Sequence, residues 1–145
     1  MPRRFEHLQK AARGEVSLAP IADLIGFKLA SVQRGEAVLE LQTNGNHANP
    51  MGTLHGGVLC DVADAAMGIA FASTLEDDES FATLELKINY LRPVWKDKLR
   101  AKAKVVSRGR TVGMVECDIF NSADVLVARS SSTCIVLRGD QAMGR

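Results

Sequence analysis

HANPMGTLHGGVLCDVADAAMGIAFAS, residues 47–73, joins a glycine-rich turn to a long run of small and apolar residues. The run reads as one helix from about Gly57 to Leu75. Val58, Leu59, Val62, Ala63, Ala66, Met67, Ala70 and Phe71 recur at helical spacing on its main apolar face. The opposite face is still mostly Ala, Gly and Ile, interrupted by Asp61 and Asp64. A helix that is apolar all round belongs in an interior. A single helix can be buried so fully only if a sheet curls around it.

The flanking sequence supplies that sheet. Residues 3–13 read as a short charged helix ended by Gly14, and Pro20 to Ile25 as a further helical turn with Pro at its start. Phe27 to Gln33 and Ala37 to Gln42 alternate across an Arg34-Gly35 turn and form a hairpin. After the helix comes an acidic turn, residues 76–79. Three more strands follow, at Ala82–Leu91, Leu99–Val106 and Thr111–Phe120, and a last long one at Val125–Leu137. In the first of these, alternation puts Leu84, Leu86, Ile88 and Tyr90 on one face and Thr83, Glu85, Lys87 and Asn89 on the other. Strands segregated from one long helix predict an α+β fold with an antiparallel sheet of five or six strands. The expected organisation is an N-terminal extension over 1–19, one domain over 20–137 and a frayed tail over 138–145.

Bulk properties exclude several classes. The 145 residues suffice for one domain with its own core. A net charge of +1 offers no general attraction for nucleic acid or an anionic membrane. Cys60, Cys117 and Cys134 are odd in number and widely spaced, which predicts reduced thiols and a cytoplasmic location. The basic N-terminus lacks the apolar core of a secretory signal, and the two acids argue against a membrane-spanning helix. His and Cys spacing fits no metal site, and the Ser130-Ser131-Ser132 run lacks the context of a serine hydrolase.

Three groups of residues now fall into a pattern. They are Asn49 with Gly52-Thr53-Leu54-His55-Gly56-Gly57 and Val62-Ala63-Asp64-Ala65-Ala66, the stretch from Thr83 to Pro93, and the turn Arg108-Gly109-Arg110-Thr111. Together they resemble the hotdog-fold acyl-CoA thioesterases of the PaaI-like subfamily. His-Gly-Gly with an acid nine residues after the His is the most specific part. The resemblance implies a curved sheet wrapped around one long helix, hydrolysis of an acyl-CoA, no cofactor, and a homodimer or dimer of dimers with sites at the interface.

Each candidate residue has a physical reading and an ordinary alternative. Gly56 and Gly57 lack a Cβ, and at a helix N-terminus their N–H groups could polarise a thioester carbonyl. They could equally be turn glycines. By resemblance, Gly56 is the contact. Asp64 in an apolar helix is costly unless paired, exposed or used, and partial burial would raise its pKa and improve it as a base. Asp61, one turn earlier, could serve the helix dipole, and only the motif spacing ranks Asp64 above it. By resemblance Asn49 binds near the carbonyl or water, and Thr83 orients water from across a dimer interface. Strict alternation opposes the latter, since it turns Thr83 away from the core face. His55 could orient the loop, while Met51, Leu59, Met67 and Phe71 could floor an acyl pocket. Arg92, Lys96, Arg108 and Arg110, with Gly109 between the last two, could hold the CoA phosphates. A hydratase or dehydratase using His47 or His55, and a non-catalytic acyl-CoA-binding protein, are the competing expectations.

Overall fold

A computed structural model describes all 145 residues. In chain order its elements are α1 (Arg3–Ala12), α2 (Pro20–Ile25), β1 (Lys28–Gln33), β2 (Glu36–Gln42), α3 (Gly56–Ala72), β3 (Glu79–Tyr90), β4 (Lys98–Arg108), β5 (Val112–Phe120) and β6 (Leu126–Arg138). Short 3₁₀ turns occupy Gly45–His47 and Gly139–Ala142. The six strands form one sheet in the order β1-β2-β4-β5-β6-β3, with every pairing antiparallel. The sheet curves around α3 in a hotdog fold. No helix is long and apolar enough to cross a membrane.

α3 starts one residue earlier and stops three residues sooner than periodicity suggests. At its start the His55 ring Nδ1 accepts the Gly57 N–H at 2.9 Å, a side-chain N-cap. At its end Ser73 and Thr74 donate their hydroxyls to the carbonyls of Ala70 and Phe71, both at 2.6 Å. Hydroxyls that take up last-turn carbonyls compete with a further turn of helix.

The core lies between α3 and the concave face of the sheet. Val62, Ala63, Ala66, Met67, Ala70 and Phe71 are all at most 1% exposed. They belong to one cluster with Leu39, Leu41, Leu99, Ala101, Val115 and Ile119 from the strands. Alanines on α3 bring the helix backbone close to the sheet. Gly113 on β5 does the reverse: a Cβ there would collide with the Phe71 ring. The N-terminal helix joins this core through Leu8 and Ala11.

β3 departs from strict alternation. It begins at Glu79, so the fourth residue of the acidic turn is a buried strand residue. Its pairing with β6 also slips: Thr83 faces Cys134, but Glu85 faces Thr133, and Leu84 is the extra residue of a β-bulge. A bulge shifts the side-chain phase by one. Thr83 pairs with buried Cys134, Leu86 with buried Ser132 and Ile88 with buried Ser130, so all three share the inner face. Leu84 is 58% exposed; Thr83, on the inner face, also keeps solvent access, while Leu86 and Ile88 are half-buried. The expectation that Thr83 points away from the core face is therefore corrected, because a bulge requires a partner strand and leaves no mark in the alternation of its own.

Candidate active site

The loop into α3 is held by its own polar groups. His47 is buried; its Nδ1 accepts the Asn44 N–H at 3.1 Å and its Nε2 donates to the Ile25 carbonyl at 2.8 Å. Asn49 closes the next turn. Its Oδ1 accepts from the N–H groups of Met51 and Thr53, and its Nδ2 donates to Thr53 Oγ1 at 2.7 Å. That leaves one Asn49 amide proton available. The His55 N–H donates to the His47 carbonyl and the Leu54 N–H to that of Val94, which pins the loop to the connection between β3 and β4.

This bonding separates the two glycines. The Gly57 N–H is held by His55 Nδ1, whereas the Gly56 N–H has no partner in the chain. At the first residue of a 17-residue helix, that free donor sits at the positive end of the dipole. Tyr90 fixes the same residue through the following peptide: its hydroxyl donates to the Gly56 carbonyl at 3.0 Å. A Cβ on Gly56 would stand 2.9 Å from Tyr90 Cζ. Alternation had put Tyr90 on the inner face without giving it a role. Its link to Gly56 spans 34 residues and has no local signal. An open cavity of about 330 Å³ lies here, lined by Leu54, Gly56, Leu59, Tyr90, Arg92 and Val94 among others. Arg92 is exposed and makes no ion pair.

Asp64 faces a different cavity, of about 320 Å³. Thr83 and Phe81 line it from β3, Ala65, Gly68 and Ile69 from α3, and Leu8, Leu18 and Ile21 from the N-terminal segment. Asp64 keeps solvent access, but the protein around it pushes its carboxyl above the ordinary value. Repulsion from Asp61 adds to that. Asp61 is exposed and lines neither cavity. Thr83 Oγ1 lies 3.9 Å from Cys134 Sγ, whose thiol is raised chiefly by burial. Thr83 and Asp64 therefore share a cavity within one chain. Gly56 and Asp64, by contrast, are eight residues apart on α3, about 12 Å along the axis, and open into separate cavities.

Two expected groups lie elsewhere. Met67 and Phe71 are sealed in the core and line neither cavity, and Met51 is 83% exposed; of the four suggested floor residues only Leu59 reaches a cavity wall. Alanines around Met67 let the sheet close over it. The Arg108-Gly109-Arg110 turn sits at the far end of α3 from Gly56. Arg108 is engaged there: it pairs with Glu79 at 2.9 Å, donates to Thr74 Oγ1 at 3.0 Å and stacks on the Phe71 ring. The Gly109 N–H donates to the Val112 carbonyl, and Arg110 stays exposed without an ion pair. No three His, Cys, Asp or Glu side chains converge as metal ligands would.

The chain is similar to known proteins in sequence and in fold. The sequence profile of the thioesterase superfamily matches residues 51–128. A 1,4-dihydroxy-2-naphthoyl-CoA hydrolase of Listeria monocytogenes is 30% identical over 116 residues, 80% of this chain and 94% of that one. Among solved structures, a phenylacetic acid degradation-related protein of Ralstonia eutropha JMP134 superposes with a TM-score of 0.80 at 29% identity, covering 88% of this chain and 98% of that one. The PaaI protein of the Escherichia coli phenylacetic acid degradation operon gives 0.82 over 92% and 96%. At 24% identity it speaks for the fold alone.

Proposed function

This chain belongs to the thioesterase superfamily and is a thioester hydrolase, and from that premise we propose that it cleaves an acyl-CoA to the free acid and CoA in a site shared by two copies. The observation that carries this reading is the free Gly56 N–H at the head of the helix that also bears Asp64. Gly56 polarises the thioester carbonyl. Asp64, ionised, takes a proton from the attacking water or attacks the carbonyl carbon itself. In either route an oxyanion forms opposite the Gly56 donor and the thiolate of CoA leaves and takes up a proton; after direct attack, water then hydrolyses the mixed anhydride on Asp64 to release the acid and restore the carboxylate. A preorganised donor of this kind is worth about 10²–10³-fold. Thr83 and the spare Asn49 amide proton hold the water or the carbonyl. Arg92, beside Gly56, and the exposed Arg110 and Lys96 are the cations that remain for the CoA phosphates. His55, with Gly57, keeps the donor loop in place as an N-cap.

Two copies are needed because Gly56 and Asp64 open into different cavities. β3 is an edge strand of 12 residues, free along one side, and exposes Leu84 and Tyr90. A long free edge is a natural pairing surface. Thr83 belongs to the Asp64 cavity and Tyr90 to the Gly56 cavity, and both lie on this strand. A two-fold axis through β3 near Lys87 sets Thr83 of one copy against Tyr90 of the other. Asp64 of one copy then meets Gly56 of the second. A hydratase reading would need an imidazole nitrogen free to accept a proton, but both His47 nitrogens are engaged, and His55 Nδ1 accepts the Gly57 N–H, which leaves the ring proton of His55 on Nε2.

Thiol release from acyl-CoAs tests the activity, with Asp64→Ala and Asp64→Asn as controls; full activity in both would end this mechanism. Mixing tests the shared site. Asp64→Ala and Gly56→Val are each inactive alone, while their heterodimer recovers one intact site and measurable turnover. Mixtures as inactive as their parents would mean that each chain works alone.

A further inference from the structure

Five of the twelve residues that wall the cavity beside Asp64 come from the N-terminal segment, outside the framework of α3 and the sheet. Leu8 of α1, Leu18 and Ala19 of the connecting segment, Ile21 of α2 and Phe27 form one side. Leu8 and Phe27 are buried, whereas Asp64 keeps contact with solvent, so the cavity is polar at its mouth and apolar in depth. Asp64 and Thr83 are its only polar side chains. Its volume, about 320 Å³, is at the lower end of the range for small-molecule sites, roughly 300–1,000 Å³.

We infer that this cavity is the acyl site and that the N-terminal segment sets its length, so that the enzyme takes an uncharged, unhydroxylated acyl group of medium size. The inference rests on the thioesterase reading. A thioester carbonyl held at Asp64 directs its sulfur outward to solvent and its acyl group inward, against Ile21, Phe81 and Ile69. A hydroxyl on that acyl group would lose water and find no side chain to bond with along the wall. A purely apolar wall disfavours an added hydroxyl by about 10²-fold, since the penalty is only that of an unpaired group. A long chain meets the buried side chains of Leu8 and Phe27.

The test is a set of kcat/KM values for matched acyl-CoAs. Phenylpropionyl-CoA should exceed its para-hydroxy counterpart by about 10²-fold, and octanoyl-CoA should exceed palmitoyl-CoA. Ile21 is 48% exposed, so Ile21→Trp can fill the cavity from the surface without disturbing the core. It should lower octanoyl relative to butanoyl turnover by about 10-fold or more, with the thermal midpoint unchanged. Equal rates for the hydroxylated and plain pair, or a chain-length profile indifferent to Ile21→Trp, would overturn the inference while leaving the thioesterase reading intact. An altered oligomeric mass with an unaltered profile would assign the cavity to subunit contact and overturn it likewise. Absence of thiol release from every substrate would bring down both.

Discussion

The two ends of α3 are built from similar polar material and finished in opposite ways. At the C-terminal end each polar group has an internal partner. Ser73 Oγ donates to Ala70 and accepts the Gly35 N–H, and Thr74 Oγ1 donates to Phe71 and accepts from Arg108. The Glu79 carboxylate accepts from the Glu76 N–H, Arg108 and Arg138. At the N-terminal end one donor, the Gly56 N–H, is left without a partner beside an open cavity. Asp64, two turns in, has no ion-pair partner either. A satisfied end stabilises; an unsatisfied end has hydrogen-bonding capacity left for a ligand.

The contrast can be broken first at Asp64. Asp64→Ala should lower kcat by about 10²–10⁴-fold, the usual worth of a positioned acid or base, with thiol release as the measurement. The same change should leave stability intact. Burial raises the Asp64 carboxyl above its ordinary value, so its ionised form costs stability at pH values above that raised pKa. Asp64→Asn removes the cost, and the thermal midpoint at neutral pH should not fall. A large drop in the midpoint would place Asp64 among the satisfied residues instead.

Gly56→Ala comes next. Its Cβ would press on the Tyr90 ring and displace the bond from the Tyr90 hydroxyl. Misplacing the donor by about 1 Å costs about 10²-fold in rate. Tyr90→Phe, which keeps the ring and loses only the bond, should cost less in the same assay.

Glu79→Gln probes the satisfied end, and its signature is reversed. It should reduce unfolding free energy by about 1–3 kcal/mol, the cost of leaving buried partners unmatched, while kcat stays unchanged. Burial pushes the Glu79 carboxyl up, but the Glu76 N–H, Arg138 and Arg108 outweigh it and hold the group below its ordinary value. The folded pKa is thus the lower one. Its stabilising contribution is complete above the ordinary glutamate value of about 4.3 and disappears as pH falls through the folded value. Denaturation across that window should be flatter in the variant than in the parent.

The smallest effect is expected from Asp61→Asn. Removing a neighbouring negative charge lets Asp64 ionise more readily, so the acid limb of the kcat/KM profile should move to lower pH. An unmoved limb would show that Asp61 does not act on Asp64.

Much of this was written locally. Helical spacing over Val58–Phe71 marked α3 as buried, and turn residues bounded the strands, because period and punctuation are properties of neighbours along the chain. The His-Gly-Gly turn and Asp64 were legible for the same reason. Thr83 was misplaced by alternation because the Leu84 bulge exists only through the register with β6. Arg108 was read as a phosphate contact because its partner Glu79 is 29 residues away. Met67 was read as pocket floor because helical periodicity finds the apolar face but not what covers it.

The sequence by itself determined the fold class and the central helix, since both follow from short-range pattern and backbone chemistry. Only the tertiary structure decided which face Thr83 takes and that Gly56 and Asp64 open into separate cavities. Those outcomes depend on hydrogen bonds and packing between segments distant in the chain, which no local pattern encodes.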